Sequence, residues 1–448
     1  MASSKNRSVV FPPFDEDQVS SWKATRWIGI IGLGDMGKLY ATKFLSAGWK
    51  VCACDQESKY DGLVEEYKDS ELKILHNGHY VSRMSDYIIY SVEAENIHKI
   101  VSLYGPSTKM GAIVGGQTSC KAPEISAFEK YLPEDVDIIT CHSLHGPKVA
   151  TVGQPLVLIN HRSRGEDSFT FVRSVFREFE SKNVYLSAEE HDRITADTQA
   201  VTHAAFLSMG VAWQGNNQYP WTIPKWIGGI ENAKVNISLR IFSNKWHVYA
   251  GLAITNPHAH PQILQYAQSV TALFKLMIEG KSDELRARLF SAREAVFGQL
   301  QKSHSLLLPD ELLERYSLSK IPPQGKRANS HLSLLAIVDS WYQLGVNPYD
   351  HMICSTPLFR IWLGVTEYLF CTEGLLEECI SATAENSFRG DDLEFCIAAR
   401  TWSDIVAHGD FALYRATFER TQAYFAPMLQ EANKIGNEMI KTILKKTN

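Results

Sequence analysis

Between Trp27 and about Tyr185, short apolar runs alternate with amphipathic stretches. Trp27-Ile28-Gly29-Ile30-Ile31, Val51 to Cys54, Tyr87 to Val92, Ala112 to Val114 and Asp137 to Thr140 are almost uniformly apolar, while Lys38 to Ala47 has helical spacing and ends at Gly48. Strands that do not alternate apolar with polar positions are buried on both faces, and strands separated by helices imply a parallel sheet with helices on each side. Beyond about Ser187 the period changes to that of long helices, starting with Glu189 to Trp213, and strand runs disappear. A breaker-rich stretch from Ser303 to Asn329, with Pro309, Pro322, Pro323 and Gly325, divides the helical part. The expected organisation is an arm over 1–22, an α/β domain over 23–188, a helical domain over 189–302, a linker over 303–329 and a second helical domain over 330–448.

The two helical blocks resemble each other. A shift of 128 residues places His203 on His331, Leu207 on Leu335, Trp213 on Trp341, Phe242 on Phe370, Phe290 on Phe418 and Phe297 on Phe425. One offset held over about 100 residues predicts a duplicated helical domain, against the competing reading of two unrelated bundles with coincident aromatics.

A chain of 448 residues carries two or three domains. Its net charge of −5 argues against a nucleic-acid partner, whose footprint is a basic excess, but leaves room for an anionic small molecule held by a few buried cations. No apolar run reaches the roughly 18 residues that read as a transmembrane helix, and the N-terminus lacks the apolar core of a secretion signal. Of eight cysteines only Cys52 and Cys54 lie close together, and they make no four-ligand zinc set. Free thiols suit a reducing compartment, so a cytoplasmic protein without a metal is expected.

Gly32-Leu33-Gly34-Asp35-Met36-Gly37 follows the first strand and opens a helix. In that context the first glycine permits the turn, the second lets a pyrophosphate approach the backbone, and the third lets helix pack on strand. The phosphates would lie on the unpaired N–H groups of the helix N-terminus. The α/β domain is therefore expected to be Rossmann-like, with Ser91, at the end of the third strand run, added to the cofactor set. Asp55 ends the second strand, where an acid hydrogen-bonds the adenosine ribose and favours NAD. Gln56, Ser58 and Lys59 offer a phosphate pocket if the carboxylate turns away, and a plain turn role fits Asp55 equally well. On the residues alone, NAD and NADP both stay open.

The segment after the 137–140 strand reads His142-Ser143-Leu144-His145-Gly146-Pro147. Ligands of parallel sheets bind beyond the carboxyl ends of the strands, and a histidine there suits accepting a hydroxyl proton while hydride leaves. One strand earlier, Gly115-Gly116-Gln117-Thr118-Ser119-Cys120-Lys121 supplies small hydroxyls that can orient it. A lone loop histidine has a structural reading too; two in a Gly/Pro turn at a strand end raise the catalytic one.

Thr140 to Pro147 resembles the strand-end loop of prephenate dehydrogenases, His-Pro-x-x-Gly, with Ser143 in place of the proline. The resemblance implies that His142 is the catalytic hydrogen-bond acceptor. Ser119 to Lys121 is similar to that family's Ser-x-Lys element, implying that Ser119 contacts substrate and histidine and that Lys121 belongs to the substrate site. His191-Asp192 followed by Thr202-His203-Ala204-Ala205 looks like its helix-borne histidine segment, implying a substrate contact for His203. The likeness covers about residues 25–300 and is nearest the fungal, NADP-dependent enzymes, which tips the cofactor toward NADP with NAD the alternative. It implies oxidative decarboxylation of prephenate on the route to tyrosine. An arogenate dehydrogenase, a β-hydroxyacid dehydrogenase sharing only the glycine turn, and a non-enzymatic nucleotide-sensing scaffold are the rivals.

One departure from the family pattern is informative. The Ser-Pro-x-x-Arg context of the family's carboxylate-binding arginine has its match at Ser355-Thr356-Pro357-Leu358-Phe359-Arg360 in the second block. The first block has Asn232 there, and 232 plus 128 is 360, with Lys234 nearby. The expectation is that the second block stands in for a partner subunit, giving a pseudo-dimeric monomer or a homodimer. Arg360 (less favoured, Lys234 or Arg240) would then hold a substrate carboxylate.

Overall fold

The structure, a computed structural model, is described for residues 11–298, 316–319 and 329–447. Two compact units divide it at Asp192/Arg193. The predicted linker falls almost wholly outside the described residues.

The first unit is built on eight strands: β1 (Trp27–Ile31), β2 (Lys50–Cys54), β3 (Lys73–Ile74), β4 (Tyr87–Tyr90), β5 (Ile113–Gly116), β6 (Asp137–Ser143), β7 (Pro155–Arg162) and β8 (Lys182–Tyr185). Their order is β3-β2-β1-β4-β5-β6-β7-β8. All neighbours are parallel except β6 and β7, which run antiparallel in a register placing His142 opposite Val157. The sheet is the parallel, Rossmann-like one expected, with this one antiparallel pair added. The chain returns through the short segment 144–154 and needs no crossover helix, which only parallel neighbours require. The helices are α1 (Glu16–Thr25), α2 (Asp35–Ser46), α3 (Tyr60–Glu66), α4 (Gly78–Met84), α5 (Ile97–Tyr104), α6 (Ala122–Tyr131), α7 (Glu166–Val175) and, ending across the division, α8 (Ala188–Thr195).

Strand alternation sends Ile28, Ile30, Tyr87 and Ile89 into one core and Ile31, Cys52, Ile88 and Tyr90 into another. Each face of the sheet is therefore covered, which is why these runs read as continuously apolar. The N-terminal arm is also corrected from Phe11 onward. Asp15 caps α1 by accepting from the Asp17 and Gln18 N–H groups, and Val19 and Trp22 are buried. Phe11 packs on Tyr185 with the Arg173 guanidinium over its face.

The second unit is helical. Its main helices are α9 (Val201–Gly215), α10 (Gly229–Phe242), α11 (His247–Thr255), α12 (Ala259–Ile278), α13 (Ser282–Phe297), α14 (Leu332–Leu344), α15 (Pro357–Cys371), α16 (Leu375–Ala382), α17 (Arg389–His408) and α18 (Phe411–Thr447). Adding 128 to α10 gives 357–370, and α15 is Pro357–Cys371; adding it to α12 gives 387–406, and α17 is Arg389–His408. The other three pairs follow the same shift, except that α18 runs on past its counterpart. Packing is exchanged between blocks: α9 lies on α17, and its mate α14 lies on α12.

Candidate active site

The glycine turn has the geometry its spacing predicts. Gly32 adopts φ +105°, and a side chain there would strike the Ser91 carbonyl. A side chain at Gly37 would strike the Gly32 carbonyl, so α2 can start only this close to β1 with glycine at both places. Gly34 meets nothing within 4 Å of where its side chain would project. That open face at the start of α2 suits a pyrophosphate on the helix N–H groups. Ser91 accepts a hydrogen bond from Gln117, tying the ends of β4 and β5 together.

Asp55 is turned back onto this loop. One carboxylate oxygen accepts from the Leu33 N–H at 2.8 Å, and the other from the Gln56 N–H and the Lys59 ammonium at 2.7 and 2.9 Å. Burial works against its charge, but these three donors outweigh it and hold the carboxyl below its usual range. Lys59 is half-exposed beside it.

His142 lies near the end of β6 rather than in the loop beyond it, and is buried. Its Nδ1 is 2.8 Å from His191 Nε2, and His191 Nδ1 is 2.8 Å from Asp192. Asp192 also accepts from the Lys121 and Ala122 N–H groups, each at 2.7 Å, at the start of α6. Burial opposes its charge, but the His191 bond and those N–H groups prevail and keep it ionised. An ionised carboxylate accepts only, so the network assigns the proton of His191 to Nδ1 and leaves its Nε2 to accept from His142 Nδ1–H. His142 Nε2 is thereby the acceptor. Burial first, then the neighbouring His191 and Lys121, hold His142 well below the ordinary imidazole value, so it stays neutral. His191 and Asp192, which sequence reading treated only as part of a segment, are the residues that hold the His142 ring.

Lys121 is corrected. Its side chain is fully buried, and the ammonium donates to Glu124 at 2.9 Å, the Cys141 carbonyl at 2.7 Å, Thr140 at 3.1 Å and the Gly116 carbonyl at 3.3 Å. More acceptors surround it than it has protons, leaving none for a substrate. Glu124 also accepts from Thr118 and Thr140. The pair Lys121–Glu124 thus locks the β5–α6 turn, where Ser119 is half-buried, to the strand that carries His142.

In the second unit, His203 is buried against Tyr249, with ring centroids 4.7 Å apart, and its Nδ1 has no hydrogen-bond partner among the described residues. Burial, then the Arg240 charge, lower its pKa to about 3. Arg240 donates through Nε to Asn437, and Arg360 through Nε to Ser355. Burial depresses both guanidinium groups, and among the described residues neither has a carboxylate partner. Thr356, with Pro357 behind it, caps α15 and sets Arg360 in its first turn. Lys234 is already bound to Glu231 at 3.1 Å and His331 at 2.9 Å, so it leaves the set of substrate cations.

The chain matches two family descriptions: "NAD binding domain of 6-phosphogluconate dehydrogenase" over residues 27–132, and a "6-phosphogluconate dehydrogenase C-terminal domain" over residues 200–445. It is 64% identical over 437 residues to "Prephenate dehydrogenase [NADP(+)]" of Saccharomyces cerevisiae, covering 96% of each chain. The chain belongs to the prephenate dehydrogenase family. A second relative, "Probable prephenate dehydrogenase [NADP(+)]" of Schizosaccharomyces pombe, is 59% identical over 94% of this chain and 99% of its own. Among solved structures, prephenate dehydrogenase from A. aeolicus with hydroxyphenyl propionate and NAD+ aligns at 17% identity and a TM-score of 0.46, over 60% of this chain and 96% of that one. Within the described residues of this family member, no helix is long and apolar enough to cross a membrane.

Proposed function

We propose that this chain oxidises and decarboxylates prephenate to 4-hydroxyphenylpyruvate with reduction of NADP, a step of tyrosine biosynthesis. The single observation carrying the chemistry is the chain Asp192–His191–His142, which presents a neutral acceptor nitrogen at the carboxyl end of β6. The nicotinamide, when bound on the glycine turn, supplies the hydride acceptor. His142 Nε2 accepts from the ring 4-hydroxyl as that oxygen gains carbonyl character, and Asp192 and His191 fix its tautomer. Loss of CO2 leaves an aromatic ring, which drives the step. Ser119 orients the hydroxyl. Arg360 and Arg240 are assigned to the substrate's two carboxylates, because half-buried cations without carboxylate partners among the described residues are costly unless a ligand supplies the counter-charge. The neutral His203 is assigned a hydrogen-bonding contact to the substrate.

Asp55 supports NADP. Its carboxylate is occupied by Leu33 N–H and offset by Lys59, so it neither reaches freely for a ribose hydroxyl nor presents a bare charge to a 2′-phosphate. Lys59 is the cation nearest to hand for that phosphate. The exchanged packing of the two helical blocks supports a pseudo-dimeric monomer, and the free cysteines suit a reducing, cytoplasmic compartment; sedimentation at the mass of one 50.4 kDa chain is the expected result, and a stable dimer opposes it.

Reduction of NADP and of NAD, in parallel, with prephenate, arogenate and 3-hydroxyisobutyrate tests the reading. Fastest NADP reduction with prephenate, with CO2 released, is expected. Turnover with 3-hydroxyisobutyrate alone would remove every role given to His142 and His203.

A further inference from the structure

Ser143 closes β6, one residue beyond His142, and stands where the resembling motif has proline. A proline would stiffen the strand end by fixing φ. Serine gives up that restraint and brings a hydroxyl, whose oxygen lies 2.6 Å from the phenolic oxygen of Tyr40, in the middle of α2. Successive residues of a strand point to opposite faces. Ser143 therefore shares the face of Ile139 and Cys141, which belong to one core with Tyr40. His142 points to the other face, where His191 holds its Nδ1 at 2.8 Å. The strand end is thus pinned from both sides.

The bond is built into an apolar setting. Tyr40 has no exposed surface, and Ser143 is buried. Phe44, Phe176 and Phe179 meet the Tyr40 ring edge-on, with centroids 5.7, 5.7 and 5.0 Å away. The other polar atom described beside the phenol is the Cys141 thiol, a weak partner at 3.8 Å. A hydroxyl buried among phenyl rings is unfavourable unless it is hydrogen-bonded, so Tyr40 depends on Ser143. Burial holds the phenol well above its ordinary value, and its proton stays available for the bond. The same helix α2 begins at the glycine turn, with its N-terminus open at Gly34. One rigid element therefore touches both the seat of the pyrophosphate and the strand end that carries His142.

We propose that Tyr40 and Ser143 are positioning residues for the reaction: their hydrogen bond ties the end of β6 to α2, and so sets the distance between the acceptor nitrogen of His142 and a dinucleotide seated on the glycine turn. Hydride and hydroxyl proton leave one carbon and its oxygen, so the two acceptors must be held at a fixed separation, and small misplacements are costly in rate. The inference rests on the acceptor role given to His142.

Ser143→Ala, Tyr40→Phe and the double variant of the full chain test it, through steady-state kinetics with prephenate, fluorescence titration with NADPH and chemical denaturation. Each single change should lower kcat by about tenfold, as displacement of reacting groups does, with KM for prephenate and Kd for NADPH within about twofold. Both changes remove one bond, so the double variant should lose no more than the worse single one. Ser143→Thr, which keeps a hydroxyl on the same carbon, should recover most of the rate. A bond that is merely structural would lower the denaturation midpoint and leave kcat per folded chain unchanged. Either single variant suffices if the other fails to fold. The proposal is overturned by unchanged kcat in the folded single variants, by multiplying losses in the double variant, or by a loss of rate matched by loss of NADPH binding. If His142→Asn also leaves kcat unchanged, the acceptor reading fails as well; if His142→Asn alone inactivates, only the positioning role falls.

Discussion

The buried polar groups of the two units are managed in opposite ways. Around His142 every charge has a protein partner: Lys121 has Glu124, and Asp192 has His191 and two backbone N–H groups. Around His203, among the described residues, the cations Arg240 and Arg360 have only neutral partners, and His203 Nδ1 has none. A satisfied network fixes geometry, as an acceptor nitrogen requires. An unsatisfied one stores the demand for counter-charge that a dicarboxylate meets.

The largest effect expected from breaking this contrast is at the acceptor. His142→Asn should lower kcat roughly 10²–10⁴-fold, the usual worth of a positioned acid–base group, with KM for prephenate little changed. A kcat within about threefold of the unmodified enzyme would remove His142 from the mechanism. Next, Lys121→Met should leave Glu124 buried and unpaired, costing the first unit about 3–5 kcal/mol in chemical denaturation. If Lys121→Met instead folds normally and only raises KM, the substrate role denied to Lys121 returns.

Arg360→Ala should cost about 2–5 kcal/mol in kcat/KM, expressed in KM, as removal of a charge-assisted carboxylate clamp does. Unchanged kinetics would assign the carboxylate to Arg240. Lys59→Ala, which exposes the Asp55 charge, should shift the NADP-to-NAD preference toward NAD by roughly tenfold, about 1.4 kcal/mol; an unmoved ratio would place the phosphate elsewhere.

The smallest effect concerns pH. The acceptor must be neutral, and protonation on acidification removes it. With the His142 value held below that of a free imidazole, kcat/KM should stay level as pH falls through 6.5 and decline only below it. An acid limb centred at or above 6.5 would contradict the neutral, buried state of His142.

Much of this was legible because it is local. The runs that became β1, β2, β4, β5 and β6 are apolar on both faces, and the glycine turn carries its own steric logic at Gly32 and Gly37. The 128-residue offset anticipated helix bounds to within a few residues for most pairs, as periodicity and breakers act over a turn or two. Strands β3, β7 and β8 were not read: β3 has two residues, β8 places Lys182 and Asn183 beside Val184 and Tyr185, and β7 carries an apolar, buried run from Pro155 to Ile159 that the pattern did offer.

The amino-acid sequence by itself determined the α/β-then-helical order and the glycine turn that opens α2, which rest on spacing along the chain, while the resemblance to the family singled out His142 for the proposed acceptor role. Only the tertiary structure decided what each polar side chain does. Lys121 and Glu124 are three residues apart, but Lys121 donates to β5 and β6, Glu124 accepts from Thr140 on β6, and Asp192 meets Lys121 across 71 residues of chain. Whether a charge is spent inside the protein or left for a ligand depends on the donors and acceptors that burial brings within about 3 Å, and no local pattern encodes that distance.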